Sequence, residues 1–337
     1  MKINPIPVES IPLWQTSLTT AITDVRELFE ILELDLNLLP ATQLAHRDFE
    51  LKVPREFVNR IKKGDPFDPL LLQILPLHAE LQYQPGYVKD PLQETSTNPL
   101  PGLLHKYQGR VLLTVTGGCA IHCRYCFRRH FPYQDNNPGR QGWDRIIHYI
   151  HQDSSIKEVI LSGGDPLLAT DRHLHELILK INEIPHVKTL RIHSRIPIVL
   201  PERMTESLFS WMDDSRLRVT LVTHCNHAQE INDKVYRRLI FLRNKGITLL
   251  NQAVLLKGIN DSATILCDLS EALFDCGILP YYLHLLDKVQ GASHFDIEES
   301  TAKSLAWEMM KTLPGYLVPR LVKENPGSPF KLPICLP

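Results

Sequence analysis

Three cysteines, Cys119, Cys123 and Cys126, fall within the stretch GGCAIHCRYCFRRH, and the next cysteine is Cys225. Thiolate is a soft ligand, and three on one short loop suit iron–sulfur or zinc. A closed structural zinc site takes four ligands, so His122 or His130 would have to complete it. The spacing is not that of the bacterial ferredoxin run, which needs a further cysteine close by. Three cysteines on a [4Fe–4S] cluster would leave one iron open to a small molecule. Spacing alone admits both readings, and the open cluster accounts more directly for a missing fourth thiol.

Elements that could position this loop begin at Arg110. Six short apolar, β-rich runs occupy 110–116, 158–164, 187–194, 218–224, 248–256 and 279–286. Helical patterns such as WDRIIHYIHQ, DRHLHELILKIN and AQEINDKVYRRLIFLRNKG lie between them. After the first interval the runs recur about every 30 residues, the length of a βαβ unit. This predicts a parallel sheet covered by helices, either part of a barrel or a doubly wound sheet. Polar residues gather after the runs: the cysteines, Gly163-Gly164-Asp165-Pro166, Ser194-Arg195, His224 and Asn226, and Asp287; Asn251-Gln252 lie within the fifth. In such folds the carboxyl ends of the strands converge on one active-site face. Residues 1–104 read as a mostly helical extension, with VRELFEILEL (25–34) and REFVNRIKKG (55–64) at helical spacing and a proline-rich, extended connector from Tyr83 to Pro101.

Bulk properties narrow the class. The 337 residues are 43% hydrophobic and 22% charged, with a net charge of −1, which describes an ordinary soluble protein and argues against a nucleic-acid or membrane surface as partner. No apolar run approaches a membrane span, and MKINPIPVESIPLWQ has no signal-like apolar core. Seven cysteines, an odd number with three clustered, suit a metal in a reducing cytoplasm better than a disulfide framework.

Cys-x₃-Cys-x₂-Cys after the first strand of a βα series resembles the radical S-adenosylmethionine (radical SAM) superfamily, and GGDP at 163–166 resembles its glycine-rich motif. The resemblance implies a partial (β/α)₆ barrel, a [4Fe–4S] cluster on Cys119, Cys123 and Cys126, and S-adenosylmethionine on the open iron, cleaved by one electron to a 5′-deoxyadenosyl radical. Contacts to that cofactor are implied for Gly163, Gly164, Asp165, Ser194 and Arg195.

HKYQGRVLL, CRYCFRRHF, SGGDPL, RIHSRIPIVLP, THCNH, LLNQAVLLKGIND and PYYLHLLDKVQGASHF further resemble, in order, the lysine 2,3-aminomutase branch. The match covers about residues 85–331 and implies pyridoxal phosphate (PLP) on a C-terminal lysine. Within GYLVPRLVKENPGSPFKLP that lysine is Lys331, although Asn-Pro-Gly-Ser-Pro-Phe stands where relatives often carry consecutive glycines. An unactivated β C–H requires a radical for its removal, and PLP offers the migrating nitrogen a π-system. The resemblance implies that Arg128 clamps the lysine carboxylate, which suits a planar fork. Asp287 and Glu324 would hold the ε-ammonium, Glu324 replacing an aspartate of the metabolic enzymes. Tyr107, Arg110 and Gln252 would line the cofactor pocket. The expected division is 1–104 extension, 105–315 radical SAM core, and 316–337 segment with the PLP lysine.

The chain runs six residues past Lys331, where metabolic lysine aminomutases continue into an oligomerisation segment. With GLLHKY, GGCA, CRYCFRRHFPY, RIHSR and YYLHLLDKVQGA, this resembles the bacterial enzymes of elongation factor P β-lysylation. It implies free L-lysine as substrate, (R)-β-lysine as product, a functional link to an elongation factor P lysine ligase, and an electron donor such as flavodoxin or ferredoxin. A mutase for another amino acid and a zinc-bearing module without catalysis are the alternatives.

Overall fold

The computed structural model describes residues 13–336. Its centre is a nine-stranded sheet whose spatial order follows the sequence: β1 (Leu103–Tyr107), β2 (Arg110–Thr116), β3 (Glu158–Gly163), β4 (Thr189–Ser194), β5 (Arg218–Thr223), β6 (Thr248–Val254), β7 (Leu279–His284), β8 (Arg320–Lys323) and β9 (Leu332–Pro333). Strands β2 to β8 pair in parallel; β1 and β9 add antiparallel at the two edges. The six runs read from the sequence are β2 to β7. The three added strands are short, and β1 and β9 close local antiparallel turns rather than βαβ units.

Register explains how one sheet yields both a core and a cavity. Leu112, Ile160 and Arg191 are register neighbours and point to one face, where they line a cavity of about 480 Å³. The alternate residues Leu113, Leu161 and Ile192 are buried on the other face. Side chains from β1, β2, β3, β4, β6, β7 and β8 reach the same cavity, so the sheet curves around it as a partial barrel. Helices Gly139–Gln152, Asp171–Asn182, Asp233–Asn244, Ala263–Asp275 and Glu299–Thr312 lie between successive strands. Between β4 and β5 only short helical turns do so.

The N-terminal region forms the expected helix at Val25–Leu32, capped by the Asp24 side chain on the Arg26 amide. The second expected helix is shortened to Arg55–Val58, and Gly64 follows with φ of +71°. Phe29, Phe57 and Leu70 belong to the same hydrophobic cluster as Leu161 and Leu190 of the barrel. The C-terminal segment also joins the sheet, through β8 and β9. Among the described residues no helix is long and apolar enough to cross a membrane.

Candidate active site

The loop after β2 carries the three cysteines, and the N-terminal region grips it from behind. Arg124, between Cys123 and Cys126, is fully buried and donates from Nε and Nη2 to the two oxygens of Glu80 at 2.8 and 2.6 Å. Its Nη1 reaches the Phe49 carbonyl at 2.6 Å, and its amide donates to the Gln73 carbonyl at 2.9 Å. The His122 amide donates to the Lys52 carbonyl, and His122 Nδ1 lies 2.9 Å from the Glu50 carbonyl. His130 Nε2 lies 3.3 Å from the Gln290 carbonyl. In each of these two candidates for a fourth zinc ligand, one ring nitrogen faces a backbone carbonyl.

Cys119, Cys123 and Cys126 are half-buried free thiols, and all three line the cavity. Burial, then the neighbouring thiols, pushes Cys119 up, and the same two causes carry Cys126 to about 11. A metal would therefore have to displace their protons on binding. Arg195 Nη1 donates to Cys123 Sγ at 2.7 Å, while its Nη2 is held by Gln73 Oε1 at 2.6 Å and Glu230 Oε2 at 2.9 Å. Three soft donors with a fixed cation beside one of them fit an iron–sulfur cluster of net negative charge.

Gly163 and Gly164 are demanded by the neighbouring loop. Gly163 has φ of +116°, and a Cβ there would stand 2.5 Å from the Thr116 carbonyl oxygen. A Cβ on Gly164 would collide with the Gly118 carbonyl. The close approach is sealed by Gly164 N to Thr116 O and Asp165 N to Gly118 O, both 2.8 Å. The glycines therefore zip the β3 loop to the start of the cysteine loop. Asp165 then crosses to β4: its carboxylate accepts from Ser194 Oγ at 2.7 Å and the Arg195 amide at 2.8 Å. Burial lifts its carboxyl to about 6 against the pull of these hydrogen bonds.

The opposite end of the cavity carries three guanidiniums, one of which, Arg191, is paired with Glu158 through Nε and Nη2. Arg110, Arg191 and Arg320 lie at or near the amino ends of β2, β4 and β8, and all reach the cavity with Tyr107 and Gln252. Arg110 sits over the Tyr107 ring at 4.8 Å. The sequence pattern gathered most polar loop residues at the carboxyl ends; the structure shows a cavity that also runs along the barrel to the amino ends. Three guanidiniums suit a phosphate ester. His193 and His224 also line the cavity, and the Nε2 of each lacks a hydrogen-bond partner among the described residues. A polar ligand would satisfy them.

Lys331 precedes β9 and turns to Glu324, which directly follows β8. Lys331 Nζ donates to Glu324 Oε2 at 2.7 Å; Lys106 Nζ and Tyr107 Oη donate to Oε1 at 2.7 and 2.8 Å. Burial opposes ionisation of Glu324, but Lys331 and Lys106 outweigh it and hold the carboxyl far below its usual range. Asp287 lines the same cavity, and enclosure, with Glu324 nearby, pushes its carboxyl up to about 7. Arg128 donates from Nε and Nη2 to Glu94, each at 2.7 Å, and Nη1 lies 3.2 Å from Ser162 Oγ. Burial opposes the Arg128 charge, and Glu94 more than restores it. All fifteen residues to which the resemblance gave a cofactor or substrate role thus line one cavity, whereas Asn226, Asn251, His122 and His130 do not. Sequence reasoning missed Glu94, in the connector, and Lys106, Arg191 and Arg320, which lie within segments quoted for the resemblance but were given no role of their own.

Residues 113–265 match the model of the radical SAM superfamily. A protein named L-lysine 2,3-aminomutase from Escherichia coli (strain K12) is 47% identical over 324 residues, 96% of this chain and 94% of that one. Its namesake from Buchnera aphidicola subsp. Baizongia pistaciae is 48% identical over 96% and 95% of the two chains. The one from Clostridium subterminale is 34% identical over 95% of this chain and 77% of its own. The chain therefore belongs to the lysine 2,3-aminomutase family of radical SAM isomerases, which work through a [4Fe–4S] cluster and S-adenosylmethionine.

Proposed function

We propose that the protein is an L-lysine 2,3-aminomutase that converts (S)-α-lysine to (R)-β-lysine, with PLP on Lys331. The observation that carries this reading is one cavity holding three thiols, a lysine, an arginine fork and two carboxylates. In the bound state the cluster and S-adenosylmethionine supply a carbon radical, and PLP supplies the π-system across which nitrogen moves.

The chain's own residues bind and orient. Cys119, Cys123 and Cys126 would ligate the cluster, with Arg195 balancing charge at Cys123. Ser194 and Asp165 fix the Arg195 backbone, and Gly163-Gly164 keep the two loops in contact. Arg110, Arg191 and Arg320 would receive the PLP phosphate, with Tyr107 and Gln252 beside them. Arg128 would hold the lysine carboxylate, leaving Asp287 and Glu324 for the ε-ammonium. Enclosure by the barrel excludes water from a reactive radical.

The product would serve post-translational β-lysylation of elongation factor P through a separate ligase in the cytoplasm, with flavodoxin or ferredoxin as electron donor. Near-full-length identity to the Escherichia coli and Buchnera proteins, both named L-lysine 2,3-aminomutase, supports lysine over another amino acid as substrate. Anaerobic turnover with L-lysine, S-adenosylmethionine, PLP and reductant tests it. (R)-β-lysine with little net loss of S-adenosylmethionine is expected; no β-lysine from fully loaded enzyme overturns the substrate assignment.

A further inference from the structure

Arg128 already holds a carboxylate. Its Nε and Nη2 meet the two oxygens of Glu94 at 2.7 Å each, the two-pronged geometry that a guanidinium makes with a carboxylate. The side chains are 8% and 9% exposed, so this is no solvated surface bridge. Nη1 is turned to Ser162 Oγ at 3.2 Å and the Gly163 carbonyl at 3.3 Å. A second carboxylate cannot take the same edge while Glu94 is there.

The two partners differ in how they are held. Arg128 lies two residues beyond Cys126, in the loop gripped by Glu80, Phe49 and Gln73. Glu94 opens a single short turn, Glu94–Thr97, in the proline-rich connector. That connector is tied down on both sides. Tyr87 Oη donates to Asp296 at 2.5 Å, and Val88 bonds through its backbone to Lys288 and Gln290 at 3.0 Å each. At the far side the Leu103 amide donates to the Leu100 carbonyl at 2.9 Å. Between these anchors the Glu94 amide donates to Asp90 Oδ1 at 3.1 Å and Thr97 Oγ1 to the Glu94 carbonyl at 3.0 Å, bonds local to the connector, and Asn98 meets Asn136.

We propose that Glu94 is a resident stand-in for the substrate's α-carboxylate, and that an amino acid enters by exchanging its own carboxylate for that of Glu94 on Arg128. The inference rests on the lysine reading above. It removes the need to bury an unpaired guanidinium before substrate arrives. It also makes the carboxylate a condition of entry, because a diamine without one cannot release Glu94. Apparent affinity is lowered by the fraction of enzyme in which Glu94 still claims Arg128. Val88 bonds to the neighbours of Asp287, so the connector that senses the carboxylate end also touches the loop at the ammonium end.

Hydrogen exchange of residues 87–100 and equilibrium binding test this on the anaerobic holoenzyme without reductant, so that no turnover occurs. L-Lysine should accelerate exchange in that segment, whereas 1,5-diaminopentane should leave it unchanged. Glu94→Gln should bind lysine roughly tenfold more tightly and exchange rapidly before any ligand is added. Lysine binding that leaves the segment unchanged or slows it, or weaker binding by Glu94→Gln, would mean that Glu94 stays in place as an orienting partner, and the exchange is overturned. The wild-type comparison decides the matter if the variant does not fold. Lysine binding to neither protein is a different failure: it removes the substrate reading and this inference with it.

Discussion

Glu324 is shared by two ammonium groups at once: Lys331 on Oε2 and Lys106 on Oε1, both at 2.7 Å. Its side chain and that of Lys106 are about one-tenth exposed, so solvent screens the cluster poorly. Glu324→Gln leaves the ammoniums facing one amide. Stability should fall by about 2 kcal/mol, read as a lower unfolding midpoint in the cofactor-free protein, and KM for lysine should rise.

Asp287 and Glu324 share a cavity, yet their carboxyls are driven apart, Asp287 up to about 7 and Glu324 far down. A substrate ammonium favours the ionised form of Asp287. Below pH 7 Asp287 is protonated, so KM for lysine should climb as pH falls from 8 to 6. Asp287→Asn should bind lysine more weakly and lose that slope; an unchanged profile in the variant would assign it to another group.

Gly164→Ala sets a methyl against the Gly118 carbonyl, and backbone cannot step aside as a flexible side chain can. We expect a loss of about 2–4 kcal/mol and iron content below four per chain after anaerobic reconstitution. Full iron loading of this variant would show that the two loops need not be zipped to hold a cluster.

Lys331→Ala should abolish the visible pyridoxal band while leaving iron and sulfide intact. Cys123→Ala should do the reverse, losing cluster iron and reductive cleavage of S-adenosylmethionine. Crossed losses in these two variants would separate the two proposed centres, whose residues Cys123 and Lys331 line one cavity.

The cysteine loop and the strand after which it falls were legible because both are local: a spacing of Cys119, Cys123 and Cys126, and an apolar run at 110–116. Lys331 was legible through resemblance alone, since a lysine near the end of a chain is ordinarily a solvated side chain. Glu94 was not legible, because its meaning comes from Arg128, 34 positions away, across a proline-rich stretch with no period. Arg191 alternates with apolar neighbours in a run that looked like plain sheet, and Arg320 lies in a stretch read only for its lysine. Only the curvature that turns those alternate positions inward reveals them. The structure gives Gly163 and Gly164 a reason of its own, the close approach of the neighbouring loop at Thr116 and Gly118.

Glu80, Phe49, Glu50, Lys52 and Gln73 hold the backbone and flanks of the cysteine loop through bonds in which no thiol takes part. Oxygen that strips the inorganic core would therefore leave its mould standing. Repair becomes a matter of returning iron and sulfide to a shaped socket, with no need to unravel and refold the chain.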